Sequence, residues 1–163
     1  MTHEAPAIAN APEAARLTLH LPAETGYLAV IRELVAAAAR EHRFPARDVA
    51  KVVMAVDEAC VNVVEHAYGA AGSPAQRPIE VGVEADASRL VVTIADRSPV
   101  AFSPLQAQVA DVKSYWDSGR RKGLGIVILR QFMDQVSHSY QPGRGNELRL
   151  VKYLSPEQPS PSV

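Results

Sequence analysis

The chain has 163 residues, 47% of them hydrophobic and 21% charged, the make-up of one ordinary globular domain. Seventeen Lys and Arg against 18 Asp and Glu leave a formal net charge of −1, without the basic excess of a nucleic-acid-binding module or a polybasic membrane patch. The single cysteine, Cys60, excludes an internal disulfide and a multi-cysteine zinc site.

No apolar run approaches the ~20 residues of a membrane helix. The opening stretch MTHEAPAIANAPEAA lacks the basic and apolar regions of a signal peptide, so the expected location is cytoplasmic. Residues 1–15 are rich in Ala and Pro without periodicity, and residues 155–163 hold Pro156, Pro159 and Pro161. Both are expected to be disordered tails around one domain at 16–154.

Within that domain, Arg16–Leu21 reads as a short strand. A helix is predicted from Glu24 to Glu41, with Tyr27, Ile31, Leu34, Val35 and Ala38 at helical spacing. Phe44-Pro45 ends it, because the residue before a proline avoids the helical region. A second helix is predicted from Arg47 to Tyr68, followed by a loop from Gly69 to Pro78. Ile79, Val81 and Val83 alternate with Glu80, Gly82 and Glu84, the pattern of a half-buried strand. Leu90, Val92 and Ile94 repeat it after the turn Asp86–Arg89, which makes a hairpin.

Residues 97–122 show no clean period, and a stretch of that length is expected to be a lid, a binding loop or disorder. A third helix is predicted from Gly123 to Asp134. Val136–Gln141 and Asn146–Leu154 form a second hairpin around Pro142–Gly145. The sum is an α+β two-layer sandwich: a mixed, mostly antiparallel sheet with helices on one face.

The second helix has two faces. At about 100° per residue, Val49, Val52, Val53, Val56, Cys60, Val63, Val64 and Ala67 share one direction and form the core stripe. Cys60 is thereby placed as a small buried hydrophobe and not as a reactive thiol. Glu58, Asn62 and His66 form a polar stripe at i, i+4 and i+8 on the other side. A solvated face is the ordinary explanation of such a stripe. Here Asn is a poor helix former, and its neighbours Ala59 and Val61 are apolar. A carboxylate and a carboxamide one turn apart suit hard-cation chemistry, in which the amide oxygen ligates Mg²⁺ and the carboxylate orients or deprotonates a nucleophile.

Two further features follow along the chain. Strand Leu90–Ala95 runs into Asp96-Arg97-Ser98-Pro99, where a carboxylate at a strand end can accept from a ligand amine. A turn residue is the plainer alternative. Arg120-Arg121-Lys122 precedes Gly123-Leu124-Gly125 at the start of the third helix. Glycines at a helix N-terminus admit an anion close to backbone N–H groups, and the cations favour phosphate. The Walker pattern is absent, so this is not a P-loop.

The order of these features resembles the GHKL ATPase superfamily, with its Bergerat ATP-binding fold, and within it the anti-sigma-factor serine kinases of RsbW type. Asp57-Glu58-Ala59-Cys60-Val61-Asn62-Val63-Val64-Glu65-His66-Ala67-Tyr68 resembles their N box, and Asp96–Phe102 the box whose aspartate reads adenine. Lys122–Asp134 resembles the second glycine box and Gly145–Lys152 the closing strand. Each box is modest alone, and four in order are specific.

The resemblance implies that Asn62 holds Mg²⁺ and that Glu58 is the base or orienting group for the attacking hydroxyl. It implies that Asp96 accepts from the adenine amino group, and that Gly123 and Gly125, with Arg121 or Lys122, hold the phosphates of ATP. His66, Ser98, Leu124 and Asn146 fall in the same boxes and join the nucleotide-binding set. The implied chemistry is transfer of the ATP γ-phosphoryl group to a Ser or Thr of a STAS-domain anti-anti-sigma protein. The implied partners are that protein, a sigma factor or equivalent output protein, and a second copy in a homodimer, with neither nucleic acid nor membrane contacted directly.

Two positions depart from the pattern. Ser98 stands where the family usually has Gly, and a backbone needing positive φ or close approach to the base there would disfavour serine and weaken ATP binding. Asn146 stands where Gly or Thr is common. Tyr115 and Trp116 make the lid segment unusually aromatic, for packing or for partner contact. The alternative function is a nucleotide-binding module that sequesters partners without transferring phosphate. Neither His42 nor His66 has the helical-hairpin context of a phospho-acceptor.

Overall fold

The computed structural model describes residues 15–67, 77–101 and 124–154. The expected tails and most of the expected lid, with Arg121, Lys122 and Gly123, lie outside these residues. Five strands form one sheet: β1 (Ala15–Pro22), β2 (Pro78–Ala85), β3 (Arg89–Asp96), β4 (Gln135–Gln141) and β5 (Gly145–Tyr153). Their order in space is β1-β2-β3-β5-β4. Every pairing among them is antiparallel, a purer arrangement than the mostly antiparallel sheet expected.

Three helices pack on this sheet: α1 (Leu28–Glu41), α2 (Ala46–Asn62) and α3 (Leu124–Phe132). Helix α2 lies between the other two. The alternation seen in the sequence sends Val81 and Val83 of β2, Val92 and Ile94 of β3, and Leu150 of β5 toward the helices. They meet Val35 of α1 and Val52, Val56 and Cys60 of α2, all fully buried. Each such side chain adds about 1.5–3 kcal/mol of transfer free energy when removed from water. Burial also pushes the Cys60 thiol far up, which keeps it protonated and inert.

Three local details of the helix ends, the end of α1 at Glu41 among them as expected, have physical causes. Residues Thr25–Tyr27 form a 3₁₀ turn before α1, and Tyr27 stays exposed while Leu28 takes the first core position. Helix α1 ends in a Schellman motif: Phe44 N–H donates to the Ala39 carbonyl and Arg43 N–H to that of Arg40. Arg43 adopts φ 61° at the position where glycine is favoured, and Phe44 plugs into the core. Pro45 then serves as N-cap of α2.

The third is at the other end of α2. The α-helical hydrogen bonding stops at Asn62, and Val63–Ala67 form a π turn. A wider turn advances each residue by less than 100°, so the regular α-helical spacing ends at Asn62.

The hairpin turns have their own chemistry. Asp86 Oδ1 accepts from Ser88 N–H at 2.7 Å and Arg89 N–H at 3.0 Å, closing the β2–β3 turn. The bonds from Ser88 lead in holding the Asp86 carboxyl below the usual carboxylate range. At the β4–β5 turn, Gly143 and Gly145 take φ of 79° and 94°. Lys152 pairs with Asp134 at 3.1 Å, fastening the end of α3 to β5.

Candidate functional site

Helix α2 contributes Glu58 and Asn62, both half-buried. What covers them is α3. Gly125 is buried against α2, and a Cβ there would stand 2.6 Å from Glu58 Oε1, 2.8 Å from Glu58 Cγ and 3.1 Å from Asn62 Nδ2. The missing side chain thus allows the two helices to touch at the polar stripe. The sequence reading considered only an approach of this backbone to an anion. The plain solvated-face explanation of Glu58 and Asn62 is thereby displaced.

The setting changes the carboxyl. Burial, first, and then the negative charges of Asp57 and Glu65 raise the Glu58 carboxyl above the ordinary glutamate range. Asp57 itself is held by Arg32 of α1 at 2.7 Å. A carboxyl with raised proton affinity is better suited to accept a proton from a bound hydroxyl.

Strand β3 contributes Asp96, which is 3% exposed. Its Oδ1 accepts from Ser98 N–H at 2.8 Å and from Asn146 Nδ2 at 3.0 Å. Among the described residues both bonds fall on that one oxygen. Ser98 is buried and adopts no positive φ. The part of the reservation that concerned positive φ is therefore removed. Its hydroxyl closes the turn by donating to the Val100 carbonyl at 3.2 Å and accepting from Val100 N–H at 3.1 Å.

Asn146, at the start of β5, uses both amide hydrogens, one on Asp96 and one on the Val100 carbonyl at 3.1 Å. Its Oδ1 faces His138 Nε2 of β4 at 3.2 Å. Gly145, just before it, is tied to the same place. A Cβ on Gly145 would lie 2.0 Å from the Asp96 carbonyl oxygen and 2.7 Å from Arg97 Cα. At φ 94° and in this contact only glycine fits.

A cavity of about 20 Å³, room for roughly one water, lies between the two sides. Ala59 and Asn62 of α2, Ile94 and Asp96 of β3, His138 of β4 and Asn146 of β5 line it. The structure thus brings together Glu58, Asn62, Asp96, Ser98, Gly125 and Asn146 of the expected set. Leu124 opens α3. His66 sits on the π turn, and its side chain, like those of Arg121 and Lys122, is outside the described ones.

Sequence reasoning assigned no role to Gly145 or His138. A signal for each was present: a glycine immediately before a strand, and a histidine on the apolar register of β4 between Val136 and Tyr140. Among the described residues no group of three or more His, Cys, Asp and Glu is arranged to hold a metal ion. A single amide oxygen at Asn62 instead suits Mg²⁺, which keeps several waters and shares substrate phosphates.

The fold and this pair of facing clusters define an ATP-binding domain, and sequence comparison agrees. The chain belongs to the family described as histidine kinase-like ATPase domain, which matches residues 21–152. It is also similar to the serine-protein kinase RsbW of Bacillus mycoides (strain KBAB4), with 28% identity over 146 residues, 88% of each chain. The RsbW proteins of Bacillus cereus strains AH187 and G9842 match at 27% and 28% over the same share. The expectation of an ATP-dependent protein kinase of RsbW type is borne out at that level. Among the described residues no helix is long and apolar enough to cross a membrane.

Proposed function

We propose that this chain is a serine/threonine protein kinase and anti-sigma factor of a partner-switching system. It transfers the γ-phosphoryl group of Mg-ATP to a Ser or Thr of a STAS-domain anti-anti-sigma protein, and it sequesters a sigma factor or equivalent output protein. The observation that supports this reading best is the close approach of helix and strand: Asn62 and Asp96 face one another across one small cavity, with Glu58 a turn from Asn62.

In this reading Asp96 accepts from the exocyclic amine of adenine, with Ser98 and Asn146 fixing the carboxylate. Asn62 holds Mg²⁺ through its amide oxygen. Bound Mg²⁺ supplies neutralisation of phosphate charge. Backbone N–H groups around Gly123, Leu124 and Gly125, with Arg121 and Lys122, take the phosphates at the start of α3. His66 completes the nucleotide-binding set. Glu58 accepts the hydroxyl proton of the acceptor Ser or Thr and orients its oxygen. Its raised proton affinity fits a group that must take up a proton. The protein acts in the cytoplasm as a homodimer.

The test mixes the protein with labelled Mg-ATP and the STAS protein encoded beside it. Label on a Ser or Thr of that protein is the expected result. Bound ATP without any transfer would leave a nucleotide-regulated sequestering module in place of a kinase.

A further inference from the structure

Strand β4 takes no part in the roles proposed so far, yet two of its side chains grip the turn that follows Asp96. His138 and Tyr140 are two residues apart and so project from the same face of the strand. His138 Nε2 lies 3.2 Å from Asn146 Oδ1. The Tyr140 hydroxyl donates to the Pro99 carbonyl. Asn146 in turn donates to Asp96 Oδ1 and to the Val100 carbonyl. The direction of the His138 contact follows from the other bonds. Both amide hydrogens of Asn146 are committed, so its oxygen must accept, and the His138 ring must carry a proton on Nε2.

We infer that His138 is a positioning residue that determines base specificity, holding Asn146 so that Asp96 keeps Oδ1 occupied and turns Oδ2 to the ligand, with Tyr140 fixing the same turn. This rests on the reading of Asp96 as the adenine acceptor. A carboxylate oxygen accepts from the 6-amino group of adenine and repels the 6-oxo group of hypoxanthine. That discrimination holds only while the carboxylate cannot swing. Without His138 the buried Asn146 oxygen loses a donor, the amide relaxes, and Asp96 gains freedom.

The test compares ADP with inosine diphosphate by calorimetry. Wild type should prefer ADP. His138→Ala should weaken ADP by about three- to tenfold, the worth of one hydrogen bond, and leave inosine diphosphate unchanged, so the ratio falls. His138→Gln, whose amide can donate to the same oxygen, should restore the ratio. Tyr140→Phe removes only a hydroxyl and should lower the ratio in the same sense, which decides the matter even if His138→Ala does not fold. In the nucleotide-free protein, ¹⁵N spectra should show the neutral His138 ring protonated on Nε2. An unchanged ratio in both variants, an equal loss for the two nucleotides, or an Nδ1-protonated ring would overturn the inference. Wild type that binds neither nucleotide would overturn the adenine reading beneath it, and that failure is visible before any variant is made.

Discussion

The two walls of the cavity are held by different forces. The strand wall is a hydrogen-bonded lattice: Asp96, Ser98, Val100, Asn146 and His138 are tied by bonds of defined direction between 2.8 and 3.2 Å. Gly145 presses its backbone onto the same strand end. The helix wall depends on steric fit and charge. Gly125 lets α3 close on Glu58 and Asn62, and Asp57 and Glu65 crowd the Glu58 carboxyl with like charge. In the proposed function the strand wall reads the base, and the bonds that hold Asp96 suit an acceptor that must not move. In the proposed function the helix wall takes up the proton, and Glu58 suits that role because its charged form is disfavoured. Recognition needs rigidity, and proton transfer needs a strained charge.

Substitutions separate the walls, and the largest effect is expected at Glu58. Glu58→Gln should cut phosphoryl transfer by about 10²–10⁴-fold while leaving ADP affinity intact, measured by labelled transfer and by calorimetry. The same variant should be more stable than wild type at neutral pH. The folded-state carboxyl is raised, so the unfolded chain ionises more readily as pH rises past the ordinary value of 4.5. Wild type therefore loses stability relative to the Gln variant above that value, and the two converge at lower pH. Urea titrations at several pH values test the sign, and equal stability at all pH values would show that Glu58 is not strained.

Gly145→Ala should cost about 3 kcal/mol in urea unfolding, from positive φ and backbone collision together. It should also abolish ADP binding. Loss of stability with binding preserved would break the link between the β4–β5 turn and Asp96.

Gly125→Ala is expected to cost less, about 1–3 kcal/mol, because the Glu58 side chain can swing away from the new methyl. It should depress transfer more than ADP affinity, the reverse of a strand-wall variant. Calorimetry and transfer rates on the same preparation make that comparison.

The smallest effect should come from a place remote from both walls. Arg43→Gly should raise stability by about 0.5–1 kcal/mol, since glycine tolerates φ 61° without the penalty of a side chain. Nucleotide affinity and transfer should not change.

The strands were legible because alternation is a two-residue property: Ile79, Val81 and Val83 face the core wherever the strand lies. The core stripe of α2 was legible for the same local reason, although the π turn at Val63–Ala67 was not, since no pattern in that run distinguishes it from α-helix. Glu58, Asn62 and Asp96 stood out because their spacing and order resemble known boxes. His138 and Gly145 did not. Their significance depends on partners reached through the fold, as the bond between Asn146 and Asp96 spans 50 residues of chain.

Length, near-neutral charge and one cysteine by themselves pointed to a single domain without disulfide framework or basic surface. The local periodicities determined which residues face the core, because burial follows from spacing along one element. Tertiary structure alone decided that Gly125 meets Glu58, that Ser98 sits without positive φ, and that a histidine on an edge strand reaches the Asn146 amide that holds Asp96. Those are contacts between elements distant in sequence, and their distances exist only once the sheet and helices have packed.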